Sequence, residues 1–194
     1  MARSKDFDEN EVLAKAVSLF WRKGYNGTSM QDLVDTLGIS RSSLYDTYVD
    51  KHTLYLKALE HYQNIAGTNM CSIVNDGTSS ARDKVRQLLE LVATDLQKDK
   101  DHKGCFMVNA EVEVASLDAE VKALVCKSDK QIEEAFIKAI QKGKDSGEIT
   151  SKQDARALTR FILNAVKGIR VSAKSTTDKS FYNDIIKTTL SILD

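Results

Sequence analysis

No proline occurs in this 194-residue chain. Proline breaks helix interiors but is common in turns and edge strands, so its absence favours long, uninterrupted helices. Cysteine is scarce. Cys71, Cys105 and Cys126 are odd in number and far apart, which makes neither a disulfide framework nor a zinc spacing and fits a reducing cytoplasm. No apolar run approaches the ~20 residues of a membrane span, so no membrane partner is expected. The opening Met1-Ala2-Arg3-Ser4-Lys5-Asp6 leads into polar residues, not into the apolar stretch of a secretion signal. Neither sign of charge is in excess: 28 Lys/Arg meet 28 Asp/Glu, and the first 52 residues carry seven of the former and eight of the latter. A basic footprint for nucleic acid would therefore have to be local. Catalytic and cofactor signatures are missing as well: GxGxxG, P-loop, GxSxG and HExxH are all absent. His52, His61 and His102 have no metal-ligand partner at helical spacing. The chain is expected to be no enzyme and to hold neither cofactor nor metal.

What is present is helical periodicity. Asp8 reads as an N-cap, with Glu9 and Glu11 in a first turn whose dipole favours anions, and Val12, Leu13, Ala16, Leu19 and Phe20 follow at helical spacing up to Gly24. Thr28 is placed as the cap of a short second helix with Met30, Leu33 and Val34 inward, interrupted at Gly38; Ser40 caps a third holding Leu44, Tyr45 and Tyr48. Asp50 caps a long fourth helix running to about Asn75, where the turn cluster Asp76-Gly77-Thr78-Ser79-Ser80 ends it. Val85, Leu88, Leu89, Val92 and Leu96 stripe a fifth helix, and a short apolar sixth runs from Gly104 to about Ala115. Asp118 caps a long seventh, read as ending at Gly143 and Gly147. Ala155, Leu158, Ile162, Ala165, Val166 and Ile169 define an eighth, and Tyr182, Ile185, Ile186, Leu190 and Leu193 a ninth. No strand alternation, repeat or low-complexity tract interrupts this all-α pattern.

Residues 28–48 carry the functional signal: two short helices joined by a tight turn that opens on Gly38, the spacing of a DNA-binding helix-turn-helix. Ile39 plugs the angle between the two helices, and Leu33, Leu37 and Leu44 hold them to the first helix. The string Leu19-Phe20, Gly24-Tyr25, Gly27-Thr28-Ser29, Leu37-Gly38-Ile39-Ser40, Ser43-Leu44-Tyr45, Tyr48-Val49-Asp50-Lys51 and Leu54-Tyr55 resembles the TetR family of transcriptional regulators. The remainder resembles it more loosely, through a Gly-Glu-Ile at residues 147–149, the apolar eighth helix and one last amphipathic helix.

The resemblance implies a nine-helix architecture. A three-helix DNA-binding domain would occupy residues 1–50, and an effector-binding and dimerisation domain residues 51–194. It also implies a homodimer, double-stranded DNA as a partner, and a small-molecule effector that releases the DNA. Carried over position by position, Thr28, Ser40, Thr47 and Lys51 would touch phosphates, and Arg41, Ser42 and Tyr45 would face base edges or the adjoining backbone. Capping alone would equally account for Thr28 and Ser40. Asp46 and Thr47 depart from the family's usual aromatic, His or other neutral residues; an acid at 46 repels phosphate but can accept from cytosine N4.

For the effector, Tyr62, Met70, Phe106, Met107 and Phe136 are the candidate lining residues, with ordinary core as the competing reading. Asn109, Glu111 and Glu113 are the polar candidates, and the two glutamates, two apart on a helix, cannot face one pocket together. For dimerisation, Ile162, Val166 and Ile169 with Ile186 and Leu190 form apolar stripes that a twin could cover. Cys105, just after Gly104 at a helix start, is read either as a dipole-stabilised thiolate or as a buried, inert thiol. The alternative from another class is a helical ligand-binding protein with a vestigial helix-turn-helix.

Overall fold

The computed structural model of the protein describes residues 7–194; residues 1–6, read above for a leader, and the side chains of Asn69 and Cys71 lie outside the described residues. Among the described residues there are nine α-helices and no strand: α1 (Glu9–Lys23), α2 (Met30–Leu37), α3 (Arg41–Tyr48), α4 (Lys51–Asn75), α5 (Ala81–Lys98), α6 (Phe106–Glu113), α7 (Ala119–Asp145), α8 (Ala155–Ser172) and α9 (Lys179–Ser191).

The starts of these helices are set by local chemistry. Asp8, Ser40, Asp50 and Asp118 each accept backbone N–H groups of the first turn that follows them, satisfying donors that a helix start leaves open. The expected cap of α2 is displaced by one residue. Ser29 starts that helix and forms a reciprocal box with Asp32, whose Oδ2 accepts the Ser29 N–H at 2.9 Å. Thr28 instead is buried and donates its hydroxyl to the Gly24 carbonyl at 2.6 Å. Gly143 does not end α7, which runs on to Asp145. It is a point of close approach, where a Cβ would come within 2.7 Å of the Ala81 side chain.

Two hydrophobic cores result. One joins α1–α3 to the start of α4 and to α6 and the beginning of α7, through Phe20, Leu33, Leu44, Tyr48, Leu54 and Phe106 among others. The second joins α5, the later part of α7, α8 and α9, and Met70 of α4 reaches it. The division expected at residue 50 is thus no break in packing, because α4 contributes to both cores.

The apolar stripes of α8 and α9 require a correction. Ile162, Val166 and Ile169 are 0%, 2% and 0% exposed, and Leu190 is buried too. They pack within their own chain, with Ile186 half-buried against the same core. A side chain wholly covered by its own chain has no surface to give a second copy. The stripe read as an interface is the intrachain face of the helix. The opposite face of α8 is open, carrying exposed Phe161 and Val171 and a Gly168 beside which a Cβ would meet nothing.

Candidate nucleic-acid interface and cavity

Gly38 ends α2 in the left-handed region (φ 69°, ψ 24°), where a side chain would strain the backbone. Ile39 is buried in the corner and Ser40 restarts the chain as α3. Leu44 and Tyr48, one turn apart, are both fully buried and fix the inner face of α3. The outer face is thereby determined: Arg41, Ser42, Tyr45 and Asp46 are exposed. The Arg41 guanidinium lies 5.9 Å from the centre of the Tyr45 ring. Ser40 is also exposed; its Oγ takes the Ser43 N–H at 3.1 Å and lies 2.9 Å from Ser42 Oγ, so capping and a phosphate contact remain compatible. Thr47 is half-buried.

Lys51, half-buried at the first turn of α4, holds its ammonium 4.4 Å from the centre of the Tyr25 ring. Desolvation lowers its pKa, against the pull of Glu113 and Asp32. Thr28 does not join this surface. At 1% exposed with its hydroxyl engaged, it supports the turn and cannot present a side chain to phosphate. Ser29, missed in the sequence, is the exposed hydroxyl there. Its signal was the acid three residues on, Asp32, which completes the capping box.

Behind this face the chain is tied to α6. Glu113 Oε2 and Oε1 accept the backbone N–H groups of Tyr25 and Asn26 at 3.1 and 2.8 Å. Glu111, on another side of the same helix, accepts from Lys167 Nζ at 2.7 Å, and Asp129 shares that ammonium at 2.6 Å. Burial works against the charge on Lys167, but the hydrogen bonds to Asp129 and Glu111 outweigh it and raise its pKa. The two glutamates do point to different partners, as their spacing required.

A cavity of about 430 Å³ opens between α1, α4, α5 and the end of α8; Trp21, Tyr62, Met70, Leu96, Cys105 and Arg170 are among its walls. A second of about 220 Å³ and a third of about 390 Å³ also touch Met70. Tyr62 and Met70 therefore line cavity space, and Met107 joins them at a narrow cleft. Phe106 stands behind Tyr62, buried, ring edge to face at 5.7 Å. Asn109 spends its side-chain amide on the Lys103 carbonyl at 2.9 Å and borders a separate cleft beside Glu113. Phe136 is 1% exposed inside the second core and borders none of these cavities. Its helical spacing reported core, not cavity.

Cys105 is the residue before α6 and is buried, and the Tyr62 hydroxyl donates to its sulfur at 3.7 Å. Burial pushes the Tyr62 phenol pKa up. Trp21 and Arg170 were not foreseen. Trp21 passes for one more apolar residue of α1, and Arg170 for a charge at the end of α8; nothing in their spacing marks them as cavity walls. Among the described residues no group of three His, Cys, Asp or Glu is placed to hold a metal ion, and no helix is long and apolar enough to cross a membrane.

A helix-turn-helix mounted on a helical, cavity-bearing body defines a helix-turn-helix transcriptional regulator. The comparisons are specific. Residues 12–58 match the family of bacterial regulatory proteins, tetR family, and residues 81–189 match the tetracyclin repressor-like C-terminal domain. The HTH-type transcriptional regulator YezE of Bacillus subtilis is 33% identical, with 100% of both chains covered. The HTH-type transcriptional repressor ComR of Escherichia coli is 27% identical over 97% of this chain and 90% of its own. A cysteine mutant of the TetR family regulator CifR, solved with 26-base-pair operator DNA, superposes with a TM-score of 0.85 at 25% identity, covering 98% of each chain. The chain belongs to the TetR family of transcriptional regulators.

Proposed function

We propose that this regulator is a cytoplasmic, non-enzymatic repressor that binds a palindromic stretch of double-stranded DNA as a homodimer and is released by a small-molecule effector. The observation that carries this reading is the course of α4. It begins at Lys51, directly after the recognition helix α3, and its later residues Tyr62 and Met70 form cavity wall. One helix thus joins the DNA-facing end to the cavity, and α6 ties the cavity side to the α1–α2 turn through Glu113. A molecule in the cavity can shift DNA affinity only if it favours one arrangement of these helices over another. The repressor ComR and the operator complex of CifR support the DNA reading. For the dimer, the surface would be the open face of α8 at Phe161 and Gly168. Two recognition helices would then enter major grooves roughly 34–36 Å apart, or a multiple of that.

The deciding experiment is a gel shift with the DNA upstream of the protein's own gene. An inverted repeat there should be bound as a dimer and compete far better than random DNA of equal length. Indistinguishable competition by random DNA would instead favour a ligand-binding protein with a vestigial helix-turn-helix.

A further inference from the structure

Arg170 lines both the cavity of about 430 Å³ and the one of about 220 Å³, so it stands where the two meet. It is half-buried. Among the described residues its side chain makes no hydrogen bond and no ion pair. The acids around it, Asp95 apart, contact other groups. Glu111 and Asp129 close on Lys167 at 2.7 and 2.6 Å. Asp99 takes the Gly104 N–H at 2.9 Å on Oδ2, while its buried Oδ1 has no hydrogen-bond partner and faces Lys103 at 3.6 Å. Glu133 holds Arg160 at 2.8 Å. Asp95 is exposed at the rim. Among the described residues Arg170 is the one lysine or arginine on the wall of the larger cavity, which Asp95 and Asp99 also border and where Val17, Met70, Leu91 and Leu96 supply apolar surface.

A partly desolvated guanidinium that makes no direct ion pair is unfavourable to maintain. Set in a cavity wall, its planar fork of N–H donors matches a carboxylate in two parallel hydrogen bonds. We propose that Arg170 is the anchor of an anion-binding cavity whose ligand is an amphiphile, with an apolar body along Val17, Leu91 and Leu96 and a carboxylate on the guanidinium. That this ligand is the effector rests on the function proposed above; that the cavity takes an anion does not.

The chain's single tryptophan, Trp21, lies in the wall of the same cavity, so its fluorescence reports occupancy. Octanoate, octanamide and octylamine share one alkyl body and differ in charge, and none absorbs where tryptophan does. Titrated into the full-length protein, octanoate should bind roughly tenfold to a hundredfold more tightly than octanamide, the worth of charge-assisted hydrogen bonds, with octylamine weakest. Arg170→Met should abolish the preference and leave octanamide binding unchanged. Arg170→Lys should keep part of the preference, and circular dichroism melts establish that both variants fold. Octanamide binding as tightly as octanoate, a preference that survives Arg170→Met, or no saturable response from any of the three overturns the anion site. Operator affinity is measured separately. If octanoate is preferred but leaves operator binding untouched at saturation, the anion site stands and the effector reading falls.

Discussion

Gly24 and Glu113 lie so close that a Cβ on the glycine would stand 2.7 Å from the carboxylate Oε2. Gly24 also holds φ 77° and ψ 169°, a region that glycine alone occupies at ease. The glycine thus lets α6 reach the α1–α2 turn, where Glu113 takes the N–H groups of Tyr25 and Asn26. Gly24→Ala should cost on the order of 1–3 kcal/mol from backbone strain, plus the clash. Glu113→Ala should cost about 1 kcal/mol, since the freed Asn26 N–H can turn to water. In the double variant the clash is gone and the strain remains, so the combined cost should fall below the sum. Urea melts of the four proteins measure this, and strict additivity would show that the two residues do not interact. Glu113→Ala should also reduce the fold-change in operator affinity that any effector produces.

Val49 joins the recognition helix to α4 in an unusual conformation. Its φ is 67° and ψ is −54°, and the Asp50 N–H bonds to the Tyr48 carbonyl at 2.7 Å, closing a γ-turn of the strained, positive-φ kind. A β-branched side chain is poorly suited to this region, and Val49, 68% exposed, gains little from packing in return. Val49→Gly should therefore stabilise the protein by up to about 1 kcal/mol, the relief of strain exceeding the extra entropy of glycine in the unfolded chain. A lower denaturation midpoint for the glycine variant would show that the turn is not strained.

Much of the fold was legible because helix caps and apolar spacing are local. Asp8, Ser40, Asp50 and Asp118 act within three residues of themselves, so the sequence displays both partners of each interaction. The exposed face of α3 follows from burying Leu44 and Tyr48. What periodicity does not say is what covers an apolar stripe. Ile162 and Phe161 are neighbours in the chain, and only the packing of α5 and α7 against α8 shows that the first is interior and the second open. Cavity walls are less legible still. Met70 and Phe136 look alike as helical apolar residues, but one borders empty space and the other fills the core. The Glu113 tie spans nearly half the chain, and no local pattern announces it.

Asp118 links stability to pH. Its Oδ1 accepts the N–H groups of Val121 and Glu120, and its Oδ2 meets His52 Nε2 at 2.7 Å, so one carboxylate caps α7 and holds the first turn of α4. The Val121 hydrogen bond, outweighing burial and helped by His52, holds its pKa below the usual carboxylate value. A carboxylate with a depressed folded pKa contributes stability above its unfolded pKa, and the contribution is lost as pH falls through the folded value. Asp50 and Asp178, lowered by their own cap hydrogen bonds, act in the same direction. Stability should accordingly decline as pH drops below about 4. Asp118→Asn retains an acceptor for the cap but does not titrate. Its acid-induced loss of stability should be shallower than that of the parent, as read by urea melts between neutral and acid pH. Parallel pH profiles would mean that Asp118 is not one of the groups responsible.

Lys51 and Asp46 should act on DNA binding in opposite senses. Lys51→Ala removes a cation at the start of α4, so binding should weaken alike for all sequences and the salt dependence should drop by roughly one ion. Asp46→Asn removes a negative charge from the exposed face of α3 and should raise affinity for non-specific DNA. Fluorescence anisotropy across a salt series reads both effects. An unchanged salt slope for Lys51→Ala would remove that residue from the phosphate contacts.

Phe161 and Ile162 allow the proposed dimer face to be tested one residue apart. Phe161 is 53% exposed on the outer side of α8, whereas Ile162 is fully buried in the second core. Glutamate at 161 places a charge on a surface and costs the monomer little. Paired across a two-fold axis it meets the apolar face of the partner and its own copy's charge, so association should fail. Glutamate at 162 buries an unpaired carboxylate, and that cost is comparable with a whole domain's stability of about 5–15 kcal/mol. Phe161→Glu should therefore give a folded monomer with native helicity and lost operator affinity. Ile162→Glu should lose the fold itself. Sedimentation velocity with circular dichroism separates the two outcomes. A Phe161→Glu protein that still sediments as a dimer would place the interface elsewhere. A folded, dimeric Ile162→Glu protein would contradict the burial of that side chain.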